Sequence, residues 1–316
     1  MVDCGISLAR GPISRQVSGA THMDSWQALI LGIIEGITEY LPISSTGHLV
    51  VAQKLMGVGA EQTPGAKAAA DAFAICIQGG AILAVLGLYL PRVLKMIRGV
   101  LGRDEEGFRL AMSILIGFLP AAVLGLLLND WIEAHLFSLW PIIFAWIVGG
   151  VAILGTAWWR RGHPAPGGGR ELLEMTWKMA LIIGFLQCLA MWPGTSRSLM
   201  TIVGGILMGL TVRAAVEYSF LLGVLTLTAA TVKKAVWKVD AVAEYDQWLG
   251  GARLMWDSYG AVPTTIGLAA AAISAAIAVK WLVSYLQSHG LSIFGWYRIA
   301  VGLVIGGLVL GGVVSA

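Results

Sequence analysis

Hydrophobic residues in this chain are grouped in long blocks separated by short polar stretches. Six blocks, at about 69–90, 109–128, 139–159, 212–232, 259–282 and 293–315, have the length of about 20 apolar residues that a helix needs to cross a bilayer. Two other apolar regions, 25–56 and 173–210, are interrupted near their middles by Pro42-Ile43-Ser44-Ser45-Thr46-Gly47 and by Pro193-Gly194-Thr195-Ser196-Arg197-Ser198. Irregular backbone at membrane depth survives only where protein buries it or it lines a wet cavity. These two regions therefore predict re-entrant helix–loop–helix hairpins rather than kinked spans.

Composition agrees. Of 316 residues, 57% are hydrophobic and 12% charged, and mean hydropathy is +0.79. Soluble domains carry about 25% charged residues, so an all-α integral membrane protein is expected. The net charge of +3 is spread over loops and does not suggest a nucleic-acid partner. Cys4, Cys76 and Cys188 show neither a disulfide framework nor metal spacing. There is no phosphate-binding P-loop or Rossmann fingerprint. Residues 1–22 read as a polar, disordered tail without the features of a cleaved signal peptide, and Met23 is an alternative start. Residues 23–316 read as one membrane domain.

Basic residues orient the spans. Arg92, Lys95, Arg98 and Arg103 in one loop, and Arg160, Arg161 and Arg170 in another, predict two cytoplasmic connections. Segments 57–68, 129–138 and 233–258 then fall outside, although Lys233, Lys234 and Lys238 mildly oppose the last placement. An internal repeat follows: Gly32-x-x-Glu35, Pro42, Ser44-Ser45 and Leu55-Met56-Gly57 parallel Gly184-x-x-Gln187, Pro193, Thr195-Ser196 and Leu207-Met208-Gly209. Each half, about 24–159 and about 172–316, is a hairpin followed by three spans. The odd span count makes the halves inverted, with hairpins entering from opposite sides and tips meeting near the midplane, as in transporters of inverted-repeat build.

The tips carry the candidate chemistry. Glu35 and Glu39, four residues apart, share a helix face. Two carboxylates there need a cation, and a divalent ion with oxygen ligands, Mg²⁺ or Ca²⁺, is the natural one; pairing with Arg197 is the simpler alternative. Ser45 and Thr195-Ser196 read as N-caps of the helices that follow. Free backbone N–H groups at helix N-termini bind anions, and Arg197 adds a bidentate phosphate donor. His48 reads as a nucleophile, a general acid or a hydrogen-bonded strut. Asp71 and Glu217 read as first-turn residues complementing helix dipoles, and Gln78 and Gln187 as buried amides that orient the site. Gly32/Gly36, Gly205/Gly209 and Gly302/Gly306 mark close helix packing, and Trp158-Trp159, Trp237 and Trp248 interfacial anchors.

At these residues the chain resembles the bacterial undecaprenyl-diphosphate phosphatase family of the bacitracin-resistance type. The resemblance runs from about Asp24 to the C-terminus. It rests on Glu35–His48, Ile77-Gln78, Gln187–Ser198, Glu217-Tyr218-Ser219-Phe220 and Tyr297-Arg298. It implies two re-entrant hairpins in an inverted repeat, a homodimer and a divalent cation. It also implies removal of the terminal phosphate from a C55 isoprenyl diphosphate at the outer face of the bacterial inner membrane. Carrier-lipid recycling for peptidoglycan synthesis and bacitracin resistance follow from it. By motif position Glu35 and Glu39 are the cation and acid–base carboxylates. Ser45, His48 and Arg197 are catalytic and phosphate-site residues, supported by Ser44, Thr46, Ser196 and Thr201. The chain departs from the family pattern at Leu199, Leu225 and Ala74.

Two rival classes fit less well. Acid-phosphatase-type lipid phosphatases need a second histidine where Val203 stands and a Lys-x₆-Arg-Pro that is absent. A transporter would also use inverted repeats and a midplane polar site, but has no evident use for His48 and two carboxylates beside a phosphate cradle.

Overall fold

Both apolar regions with central prolines break where the sequence predicts, in a computed structural model that describes residues 23–59, 64–162, 168–236 and 249–314. The first gives α1 (Ser25–Tyr40) and α2 (Ser45–Met56). The second gives α7 (Trp177–Cys188), a 3-10 turn at Leu189–Met191, and α8 (Arg197–Leu207). Between them lie α3 (Pro64–Leu88), α4 (Leu90–Val100), α5 (Glu105–Leu136) and α6 (Leu139–Gly162). After them come α9 (Val212–Val236), α10 (Gly250–Tyr259), α11 (Ala261–Ser288) and α12 (Ser292–Leu310). Among the described residues there is no β-strand, only one isolated bridge between Arg170 and Leu210.

Among the described residues six helices are long and apolar enough to cross a membrane: α3, α5, α6, α9, α11 and α12. They coincide with the six expected blocks, and the protein is a multi-pass membrane protein. Three connections differ from expectation, one of them because the segment 233–258, expected as a loop, holds α10 from Gly250. The segment 129–138, expected as a loop, continues α5 to Leu136, because helix-forming residues fill it and Leu139 starts the next helix. The basic loop at 91–108 contains α4, whose Arg92, Lys95 and Arg98 interleave with exposed Leu94 and Ile97, the pattern of a helix lying in the interface. The 1–22 tail, the Pro164–Pro166 link, Lys238, Trp237 and Trp248 lie outside the described residues.

Lipid does not drive helices together as water does, so close approach of small residues holds such bundles. Gly32 and Gly36 on α1 face Gly267, Ala270 and Ala271 on α11; a Cβ at Gly32 would meet the Gly267 carbonyl. Outward-facing Leu126, Leu127 and Leu310 are exposed, as lipid contact requires. α1 and α2 run antiparallel: Gln27, near the start of α1, donates to the Met56 carbonyl at the end of α2 at 3.1 Å. Gly204 of α8 likewise lies over Ile183 and Leu186 of α7. The largest apolar cluster surrounds both breaks, from Tyr40, Leu41 and Ile43 to Ile183, Leu199 and Phe220. Phe220 meets the Tyr40 ring edge-on at 5.2 Å.

Candidate active site

The first break begins where Leu41 turns extended before Pro42, which cannot continue a helix. Ser44 takes φ 75° and caps α2, its Oγ accepting from Gly47 N at 3.5 Å. The expectation that Ser45 is the cap is thus corrected by one residue. Ser45 is already helical, which frees its hydroxyl to point back and donate to Glu39 Oε2.

The second break repeats this. Gly194 takes φ 94°, Ser196 takes φ 77°, and Ser196 Oγ caps α8 by accepting from Leu199 N at 3.3 Å. Its own hydroxyl donates to Ser198 Oγ at 3.0 Å, because Ser198 donates to the Leu41 carbonyl, 2.9 Å away in the other break. First-turn N–H groups at Ser45, Thr46, Arg197 and Ser198 have no place in the helix ladder. Ser45, Thr46 and Arg197 line one cavity, so the two helix N-termini face a common space, a geometry suited to an anion.

Arg197 joins the halves. Nη2 donates to Glu39 Oε1 at 3.0 Å, Nη1 to the Ser219 carbonyl at 2.8 Å, and the guanidinium lies 5.4 Å over the Tyr40 ring. The pair is nearly dry, with side-chain exposures of 10% for Arg197 and 5% for Glu39. Gly223 sits directly beneath the guanidinium, where any Cβ would clash. Thr201, fully buried, bonds the Arg197 carbonyl and the Ser219 hydroxyl and so steadies α8 against α9.

These groups line a cavity of about 230 Å³. Of the residues expected at the site, Glu39, Ser44, Ser45, Thr46, Ser196 and Arg197 line it. Gln78 and Gln187 line it too, with Thr226. Gln187 Oε1 accepts from Thr226 at 3.4 Å, while its Nε2 has no partner and is buried. Thr201, Glu35 and His48 do not line it. His48 turns toward α6 and α12: Nδ1–H donates to the Ser44 carbonyl at 2.6 Å, which leaves Nε2 to accept from the Tyr297 hydroxyl at 2.9 Å. Its ring stacks on Tyr297 at 5.8 Å and lies beside Trp146 at 5.0 Å. Asp71 is exposed, seven residues beyond the start of α3, and Glu217 sits in the second turn of α9, paired with Arg92 at 2.6 Å. Neither complements a first helical turn, and neither reaches the cavity.

Glu35 is 1% exposed and neither carboxylate oxygen accepts a hydrogen bond from the described residues. A buried charge of this kind needs a cation or a proton. Among the described residues no three His, Cys, Asp or Glu side chains converge on a metal position. The donor set therefore fits an ion held by one or two carboxylates and completed by phosphate oxygens, the usual habit of Mg²⁺, and not an all-protein cage.

Arg298, to which the Tyr297-Arg298 motif gives no role, ties the two breaks together. It is fully buried and among the described residues bonds only carbonyls: Gly194 and Ala145 at 2.8 Å, Pro42 and Trp146 at 3.4 Å. It thereby holds both breaks at once, while Trp146 Nε1 donates to the Ile43 carbonyl at 3.1 Å. The signal that marks Arg197, a lone arginine in an apolar run, marks Arg298 too. Of the departures from the family pattern, Leu199 is fully buried in the main core cluster, and Leu225 packs against it.

The family profile described as "Bacitracin resistance protein BacA" matches residues 28–304. "Undecaprenyl-diphosphatase 2" of Rhodospirillum rubrum is 45% identical over 289 residues, covering 92% of this chain and 96% of that protein. "Undecaprenyl-diphosphatase" of Sorangium cellulosum is 42% identical, covering 89% and 85%, and that of Ectopseudomonas mendocina is 42% identical, covering 90% and 94%. The chain belongs to the bacitracin resistance protein BacA family.

Proposed function

We propose that this protein is a membrane phosphatase that removes the terminal phosphate of undecaprenyl diphosphate. The observation that carries the reading is the Ser45 hydroxyl donating to Glu39, whose other oxygen is held by Arg197 from the opposite break. A hydroxyl beside a positioned base is an activated nucleophile. Ser45 Oγ attacks the terminal phosphorus while Glu39 takes its proton. The bond to the bridging oxygen breaks, undecaprenyl phosphate leaves, and water then hydrolyses the phosphoserine. Arg197, the two helix N-termini and the free amide N–H of Gln187 stabilise the charge on the transferring group. Such fixed donors usually lower the barrier more than any other device in an active site. His48 supports this by fixing the Ser44 carbonyl and hence the aim of α2. Glu35 and Glu39 would hold a divalent cation, Mg²⁺ or Ca²⁺, which would supply charge neutralisation on the phosphate oxygens.

The two broken segments are re-entrant hairpins in an inverted repeat. α7 and α8, at 12 and 11 residues, reach only about 18 Å each, against about 30 Å of hydrocarbon. The matched strained serines support the repeat. The cavity opens outward, because its lining on α5 (Ala121, Gly125) and α9 (Thr226, Leu227) lies in the halves leading away from Arg92, Lys95 and Arg98. Those basic residues mark the cytoplasmic side. An inner-membrane location, a role in carrier-lipid recycling and a homodimer belong to the same reading.

The test is phosphate release from undecaprenyl diphosphate in detergent with a divalent ion, followed by trapping of the phospho-enzyme in parallel acid quench, which preserves phosphoserine, and alkaline quench, which preserves phosphohistidine. Label on Ser45 supports the assignment. Label on His48, or wild-type turnover in Ser45→Ala, Glu39→Gln and Arg197→Ala alike, sinks it.

A further inference from the structure

A second cavity, about 430 Å³, lies at the opposite end of the bundle, between the ends of α3 and α11 and the starts of α4 and α9. From it to the first cavity is about 14 Å along α9, the nine residues from Glu217 to Thr226. Its walls are apolar, with Leu88, Val216, Val283 and Leu286, and its rim is basic, with Arg92, Lys95 and Arg213. A smaller cavity shares Leu88, Tyr89 and Val283 with it and adds Lys280.

The cations are not equally free. Arg92 is bound to Glu217 at 2.6 Å. The Lys95 ammonium is bound to Glu106 at 2.6 Å, which raises its pKa above the ordinary value. Among the described residues neither Arg213 nor Lys280 has a carboxylate within salt-bridge reach, and both are exposed. The two adjoining cavities, joined at Leu88, Tyr89 and Val283, thus present one uncompensated positive charge each, Arg213 and Lys280, beside an apolar wall. The sides of this groove are membrane-crossing helices, and the interfacial helix α4 borders it. Basic pockets between membrane helices bind lipid headgroups.

We propose that this groove binds an anionic phospholipid, its phosphodiester between Arg213 and Lys280 and one acyl chain against Leu88, Val216 and Val283. Tyr89 bridges the two layers, with an apolar ring and a polar tip. The leaflet rests on the orientation given above and is the cytoplasmic one, where anionic lipid is attracted to basic segments. The groove also gives a use to the Arg92–Glu217 pair, which the reaction leaves unemployed: it lines the cavity beside the headgroup with its charges already matched.

The test is native mass spectrometry of the purified full chain in detergent with phosphatidylglycerol or phosphatidylcholine added. Wild type retains phosphatidylglycerol at least tenfold more tightly. The double variant Arg213→Gln/Lys280→Gln retains it about thirtyfold more weakly, at about fivefold per basic residue, and Arg213→Lys/Lys280→Arg restores it. Equal retention of the two lipids, or no change in the Gln variant, overturns the proposal. Preferential retention of an isoprenyl monophosphate over phosphatidylglycerol also overturns it, in favour of a product site. Wild-type hydrolysis in the Gln variant shows that it is folded. If that variant does not fold, salt decides: raising ionic strength must release phosphatidylglycerol, and not phosphatidylcholine, from wild type. Charge-dependent lipid retention in a protein that hydrolyses nothing would leave the groove standing and remove the phosphatase reading.

Discussion

Ser44 and Ser196 adopt one backbone conformation, φ 75° and 77°, at the N-caps of helices about 150 residues apart in the chain. Only Leu249 joins them among described non-glycine residues with positive φ. Such a conformation costs about 1–3 kcal/mol for an L-residue. Two matched instances at the two faces of one cavity mean that the turns are shaped for what they hold. Each turn swings the next residue, Ser45 or Arg197, toward Glu39.

Glycine adopts positive φ freely and is nearly as good an N-cap as serine. Ser44→Gly is therefore expected to keep the fold and most of the phosphatase activity. Ser44→Val, β-branched and without a cap oxygen, is expected to lose about 2–4 kcal/mol from strain and lost capping together. Thermal unfolding in detergent separates the two. Equal melting temperatures would mean that the backbone at Ser44 is unstrained.

Arg197 meets a carboxylate, a carbonyl and an aromatic face at once. Lysine has no planar fork with which to do this. Arg197→Lys is expected to lower kcat/KM by at least a hundredfold. Arg197→Met leaves Glu39 buried and unpaired, costing about 3–5 kcal/mol of stability. The double variant Glu39→Gln/Arg197→Met should recover much of that stability and none of the activity. The readouts are melting temperature and phosphate release.

Gly223 does not line the cavity, yet a methyl group there would push Arg197 aside. Gly223→Ala is expected to reduce turnover at least tenfold in a protein that still extracts and elutes normally. Wild-type kinetics would show that Arg197 works from another rotamer.

Tyr297→Phe removes the hydroxyl that bonds His48 and leaves the stacking intact. One neutral hydrogen bond is worth about 1 kcal/mol, so a drop in kcat/KM of less than about tenfold is expected. His48→Ala, which also releases the Ser44 carbonyl, should lose more. An acid-stable phospho-enzyme persisting in His48→Ala would separate its positioning role from attack on phosphorus.

The six spans are legible in the sequence because length and apolarity alone define them. The helix breaks are legible because Pro42 and Pro193 cannot continue a helix. What is not legible comes from contacts distant in sequence. Residue type alone places the cap of α2 at Ser45, and the shift to Ser44 depends on a positive φ that serine rarely adopts. His48 stands next to the site in sequence, but one helical turn carries its ring to Tyr297, 249 residues on. Arg298 is marked in the sequence by the Tyr297-Arg298 motif, but its task is not; only folding shows that its guanidinium donates to carbonyls of both breaks. Glu217 and Arg92 pair 125 residues apart, and nothing local to either names the partner.

Arg298 has a consequence for turnover. Among the described residues its guanidinium meets carbonyl dipoles and no carboxylate, so its full charge remains beneath the cavity floor at Gly194. That charge attracts phosphate before and after the reaction alike. Slow departure of inorganic phosphate, and inhibition by phosphate and by oxyanions that imitate it, are therefore the expected kinetic counterpart of tying the two breaks together with an arginine that meets only carbonyls.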